Sequence, residues 1–222
     1  MIGTVGLRHY VGMSKARVTR SGPGRPAGVD SLETRQRVID AACRCFAQNG
    51  YGPATNTLIA EVAGVTAGSV YYHFGTKHKL FESVCDDVYG QIVTRSVQAM
   101  AGPHSVPGLL RAVLIEAMRI NHESPELAAF VASAPVDARR HPELAPAFEK
   151  QAAVMTEALT HAVTVGQSGG RISADLDAAQ IAVMISAVLD GFAHAAVVHD
   201  AAEMDRMVRQ FDELILGPAG AD

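Results

Sequence analysis

Between positions 64 and 77 the chain reads Gly64-Val65-Thr66-Ala67-Gly68-Ser69-Val70-Tyr71-Tyr72-His73-Phe74-Gly75-Thr76-Lys77. Thr66 is a helix-capping residue behind a Gly turn, and Gly75-Thr76 ends one short helix and caps the next. The first residues of that helix, Thr66, Ala67, Gly68 and Ser69, are small or hydroxylic, so this end can sit close to base edges in a major groove. Tyr71, Tyr72 and His73 then set polar tips at successive angles around the helix. Each ring alone is as well explained by core packing as by a partner. As a set behind a Gly turn they point to DNA. No Arg or Lys stands between Thr66 and Phe74, so the Arg–guanine contact is missing here. Base reading would then rest on Thr66, Ser69, thymine methyls, water and DNA shape.

Other chemistry finds little material. The three cysteines, Cys43, Cys45 and Cys85, have no metal-type spacing and read as small core residues in a reducing compartment. There is no HExxH, nucleophile elbow, phosphate loop or dinucleotide fingerprint. The expectation is therefore a protein that is not an enzyme and carries no metal or cofactor.

The elements that position the motif are helical. A first helix over 32–48, capped by Ser31, carries Val38, Ile39, Ala42, Cys45 and Phe46 on one stripe and stops at Asn49-Gly50. A short helix capped by Thr55 or Thr57 precedes the Gly64 turn, and two short helices about such a turn make a helix-turn-helix. Ala60 is small where they must approach, and Ile59, Val65 and Val70 hold their angle. Further helices are expected over about 77–100, 107–122, 125–138, 142–166, 175–199 and 202–216, with no run of strand periodicity. The fold class is all-α.

The 222 residues are 48% hydrophobic and 19% charged, too apolar for disorder, and carry a net charge of −4. That charge is split: residues 1–85 are net +5 and residues 86–222 net −9. A basic front on an acidic remainder suggests a polyanion at the front. Residues 1–30 hold eight Gly or Pro and five Lys or Arg, and read as a flexible basic arm. Within it Pro23-Gly24-Arg25-Pro26 resembles an AT-hook core, which would lay Arg25 in a narrow minor groove; a plain leader is the competing reading. No secretory signal is read, and the most apolar stretch, 181–198, is interrupted by Ser186, Asp190 and His194, so no membrane span is expected.

Residues 34–84 resemble the DNA-binding domain of the TetR family of transcriptional repressors. Ala41-Ala42, Phe46, Gly50-Tyr51, Thr55, Ile59-Ala60, Ala63-Gly64-Val65, the stretch from Gly68 to Phe74, and Lys77 with Leu80 occur in that family's order and spacing. The resemblance implies phosphate contacts for Thr55, Tyr71, Tyr72, His73 and Lys77, and a basic residue is common in the family where this chain has Ala67. It also implies a helical domain that binds a small-molecule effector and dimerises. Met118, His122, Phe130, Met155 and His161 are the candidate effector lining, although such residues at helical spacing also suit a core. Ala187, Gly191 and Ala195 recur every four residues in the most apolar helix, which must be buried all round. With Phe211 on the last helix they resemble the family's four-helix dimer interface; an ordinary intrachain helix is the alternative.

The expectation is thus an arm (1–30), a helix-turn-helix domain (31–78) and a helical ligand-binding and dimerisation domain (79–222). It would act in the cytoplasm as a homodimeric regulator of a double-stranded, palindromic operator, released by a small molecule. The rival is a helical ligand-binding or enzymatic protein whose motif is vestigial. Sequence alone does not separate repressor from activator.

Overall fold

The computed structural model describes residues 27–102, 104–196 and 198–217, and among these no strand occurs. Helix α1 (Ala27–Asn49) begins five residues before the expected 32, so positions 27–30 continue the helix rather than the arm. Two short helices follow, α2 (Asn56–Ala63) and α3 (Ala67–Phe74), then the long α4 (Lys77–Ala99). The second half consists of α5 (Val106–Glu123), α6 (Pro125–Arg140), α7 (Ala145–Ser168), α8 (Ala178–Ala195) and α9 (Ala201–Phe211). Two expected helices are altered at their ends. Pro142–Leu144 forms a 3-10 turn ahead of α7, and Asp212–Leu216 leaves α9 as a wider π turn.

Two apolar cores hold this together. The first gathers the stripe predicted on α1 with Ile59, Val70, Leu80 and Phe81. Phe130, Ala134 and Leu144 from the second half complete it, so the head's core runs on past residue 79. Its centre is aromatic: the rings of Phe46, Tyr51 and Phe81 lie 5.2 to 5.8 Å apart, and Phe130 stacks on Phe81 at 5.5 Å. Tilted and edge-on pairs of this kind add to plain burial. The second core joins Leu109 and Val113 of α5, Leu159 and Val163 of α7, and Ile181 and Ile185 of α8.

Helix α8 corrects one expectation. It is long and apolar enough, by length and composition, to cross a bilayer. Yet only Ile181, Ala182 and Ile185 are buried within the chain. Val183, Met184, Ala187 and Gly191 face outward, so the helix is not buried all round by its own subunit. Its second face is left without cover from the described residues.

Candidate nucleic-acid interface

Each helix of the motif is fixed at both ends by the groups its sequence supplies. Thr55, rather than Thr57, caps α2: its hydroxyl oxygen accepts the Leu58 N–H at 3.1 Å. Gly64 closes α2 in the left-handed region at φ 65°, and the Val65 N–H returns to the Ala60 carbonyl at 2.9 Å. Thr66 then caps α3 by accepting the Ser69 N–H at 3.1 Å, and Thr76 caps α4 by accepting the Lys79 N–H at 3.1 Å. Val70 and Phe74 bury one side of α3. The opposite side is thereby turned to solvent.

That outward side carries the expected residues. Thr66, Ala67 and Gly68 are exposed, and Ser69 is half-buried. Tyr71 is 69% and Tyr72 83% exposed, a large cost for aromatic rings unless something covers them. The Tyr72 ring meets His73 edge-on at 5.2 Å, which steadies both. Thr55 is exposed beside them at the start of α2, its hydroxyl proton free to donate while the oxygen caps. One cation escaped the sequence reading. Arg35 of α1 lays its guanidinium 5.1 Å over Phe74 at the end of α3 and reaches Ser83 at 3.4 Å. Its signal was its place on the exposed side of α1, one turn before Val38 and Ile39.

Lys77 is placed differently from a free phosphate ligand. Its ammonium donates to the carbonyls of Tyr51 at 2.9 Å and Gly52 at 3.0 Å, and lies 4.3 Å from the Tyr51 ring centroid. Two of its three donors are therefore spent on the α1–α2 turn. Arg25 lies outside the described residues.

The candidate effector lining is not brought together. Phe130 is fully buried in the first core, and Met155 packs against the second. Met118 is half-buried. His122 is exposed and pairs with Asp205 of α9 at 3.1 Å. His161 lies on the outer face of α7, in a shallow groove with Thr156, Thr160 and Thr164. The reason is rotational: helical spacing marks a shared face but not which neighbour that face meets. A second groove, of about 540 Å³, runs between α4 and α5. There the buried Glu116 accepts from both Arg95 and Arg119, and Arg95 also holds Glu123 at 2.8 Å.

Of the expected dimer residues, Ala187 and Gly191 are exposed, and a Cβ added at Gly191 meets nothing within 4 Å. Ala195 is half-buried, and Phe211 meets Phe192 edge-on at 5.3 Å within the chain. The thiols are buried, and burial pushes those of Cys43 and Cys85 up to about 12, far from a reactive thiolate. Among the described residues no cluster of His, Cys, Asp and Glu could hold a metal ion.

Comparison with known proteins agrees with this geometry. The bacterial regulatory proteins of the tetR family match over residues 38–84, and the C-terminal domain of BetI-type transcriptional repressors over residues 108–217. The transcriptional repressor AcnR of Corynebacterium efficiens is 27% identical over 168 residues, covering 74% of this chain and 82% of that protein. A putative TetR-family regulator from a Rhodococcus species superposes with a TM-score of 0.70 at 21% identity, over 84% of this chain and all of that one. FadR of Bacillus subtilis, solved with stearoyl-CoA, superposes with a TM-score of 0.67 at 22% identity, over 80% of this chain and 96% of its own.

Proposed function

The chain belongs to the TetR family of bacterial regulatory proteins, and on that premise we propose a repressor that binds a palindromic operator as a homodimer and is released by a small-molecule effector. The observation that carries the DNA reading is the outward row on α3. Its rings are exposed while the caps and the buried Val70 and Phe74 keep the helix rigid. Thr66, Ala67, Gly68 and Ser69 present a surface small enough to approach base edges. Thr55, Tyr71, Tyr72 and His73 supply donors for phosphate, with Arg35 adding charge. Lys77 has one donor left for a phosphate. Its cytoplasmic place follows from a chromosomal partner.

Dimerisation is supported by the uncovered face of α8, with Leu214 and Ile215 beyond α9, 80% and 67% exposed. Exposed apolar surface of that kind marks an interface. An isologous contact across α8 would place two heads on the two half-sites of a palindrome. Effector binding is supported by the FadR complex with stearoyl-CoA, a protein of the same fold. Among the described residues the buried Tyr89 hydroxyl of α4 has no hydrogen-bond partner and supplies the unmet polar group such a site needs. Of the expected lining, Met118 and Met155 are half-buried.

The test is selection of bound duplexes from a random pool by the full-length chain, followed by a salt titration. A recovered palindrome and a steep fall of log affinity with log salt are expected. No enriched sequence and a flat salt response would return the motif to the vestigial reading.

A further inference from the structure

The most extensive helix contact in the described chain is that of α1 with α6, so the second half grips the head directly as well as through α4. Most of that grip is apolar and so sets no register by itself. Apart from the Cys43 thiol, which reaches the Glu126 carbonyl of α6 at 3.7 Å, its polar part centres on one turn, Gly50-Tyr51-Gly52, between α1 and α2. Asp137 of α6, a buried carboxylate, accepts the Tyr51 N–H at 2.9 Å. Gly50 passes in the left-handed region at φ 76°, and a Cβ there would lie 3.3 Å from the same carboxylate. The Tyr51 ring is buried between Phe81 and His141, the latter at the end of α6 and 5.1 Å away edge-on. Lys77 closes the turn from the other side through the Tyr51 and Gly52 carbonyls. Next to it, His78 reaches the Glu143 carbonyl at 2.8 Å.

We infer that Asp137 is a positioning residue for DNA recognition: through the Tyr51 amide it fixes the angle of the reading head on the second half of its own subunit. A head held only by α4 and by apolar packing on α6 is free to slide and tilt on that surface. A directional bond from α6 to the same turn that Lys77 holds removes the freedom. Two heads on one dimer meet two half-sites only when their separation matches the helical repeat of the duplex, so tilt costs affinity at the right spacing and relaxes discrimination against wrong ones. Without its carboxylate the Tyr51 N–H is buried and unpaired, a strong incentive for the turn to shift. This rests on the reading of the chain as a dimeric operator-binding protein.

The experiment uses the operator selected by the wild-type full-length chain, with one base pair inserted at or removed from its centre. Wild type should lose about tenfold or more at either altered spacing. In Asp137→Ala the affinity at the native spacing should fall about tenfold. Its penalty for altered spacing should shrink to about threefold or less, because a looser head samples more separations. Asp137→Asn keeps an acceptor oxygen and should restore the wild-type profile. Should Asp137→Ala fail to fold by circular dichroism, Asp137→Ser, too short to reach the amide, takes its place in the same comparison. An equal loss at every spacing would overturn the inference and leave Asp137 a stability residue, as would an unchanged profile. If the wild type selects no operator, the function reading itself falls, which the variants do not affect.

Discussion

The ammonium of Lys77 is bonded to two carbonyls before any DNA arrives, so its removal should be felt first as lost stability. Lys77→Met is expected to cost about 1–2 kcal/mol, since it leaves a half-buried carbonyl unpaired. For a chain of this size that lowers the midpoint of thermal unfolding by about 2–8 °C. Tyr72→Ala should behave in the opposite way. Its ring is 83% exposed, so stability should stay within about 0.5 kcal/mol. Affinity for all duplexes should instead fall about uniformly, with the salt slope little changed, because a neutral hydroxyl on a phosphate releases no counterion. Calorimetry beside a salt titration on both variants separates the two roles. A Lys77 variant of normal stability but reduced slope would restore it to the phosphates. The difference between these residues also marks what was legible. Tyr71 and Tyr72 follow a Gly turn and a Thr cap, so their direction could be read locally. The partners of Lys77 are backbone carbonyls some 25 residues away, which carry no side-chain signature.

Among the elements, α4 holds a glycine in mid-helix and α7 one in its last turn, and the two should respond to alanine with opposite sign. At Gly166 an added Cβ would lie 2.5 Å from the His104 carbonyl oxygen and 2.8 Å from the Ile172 side chain. Gly166→Ala should therefore destabilise by about 1–3 kcal/mol through overpacking, in spite of the better helix former. At Gly90 the added Cβ meets nothing within 4 Å, so Gly90→Ala should stabilise by about 0.5–1 kcal/mol. Urea unfolding of the pair checks both signs, and a stabilised Gly166→Ala would mean that α7 and the segment before α5 do not touch. The sequence showed the helices because their starts are local: Thr55, Thr66 and Thr76 each bond the N–H three positions on. It did not show why Gly166 is glycine, since His104 approaches from over sixty residues away. Nor did it show that Phe130 belongs with Phe81, because spacing along α6 does not say which helix faces it.

At the scale of the whole molecule the unsettled surface is α8. Its apolar composition was plain in the sequence, but not that its own subunit covers only one side; that depends on where α7 lies. The result changes what Gly191→Leu must do. Gly191 is exposed, and none of the described residues lies within 4 Å of a Cβ built there, so a larger side chain starts into open space. Unfolding is therefore not expected; replacing Gly in mid-helix should slightly favour α8. A second copy is another matter. Across a two-fold axis Gly191 and Ala187 would let the facing backbones approach, and a Leu from each subunit would enter that contact. Overpacking typically costs 1–3 kcal/mol at a site and here would be incurred about twice. The dimer should weaken at least about tenfold, with helical content unchanged. Operator affinity should fall with it, because one head holds one half-site. Sedimentation, circular dichroism and an operator titration on the same preparation give the answer. A variant that stays dimeric and binds normally would move the two-fold axis away from Gly191, toward the exposed Leu214 and Ile215 beyond α9.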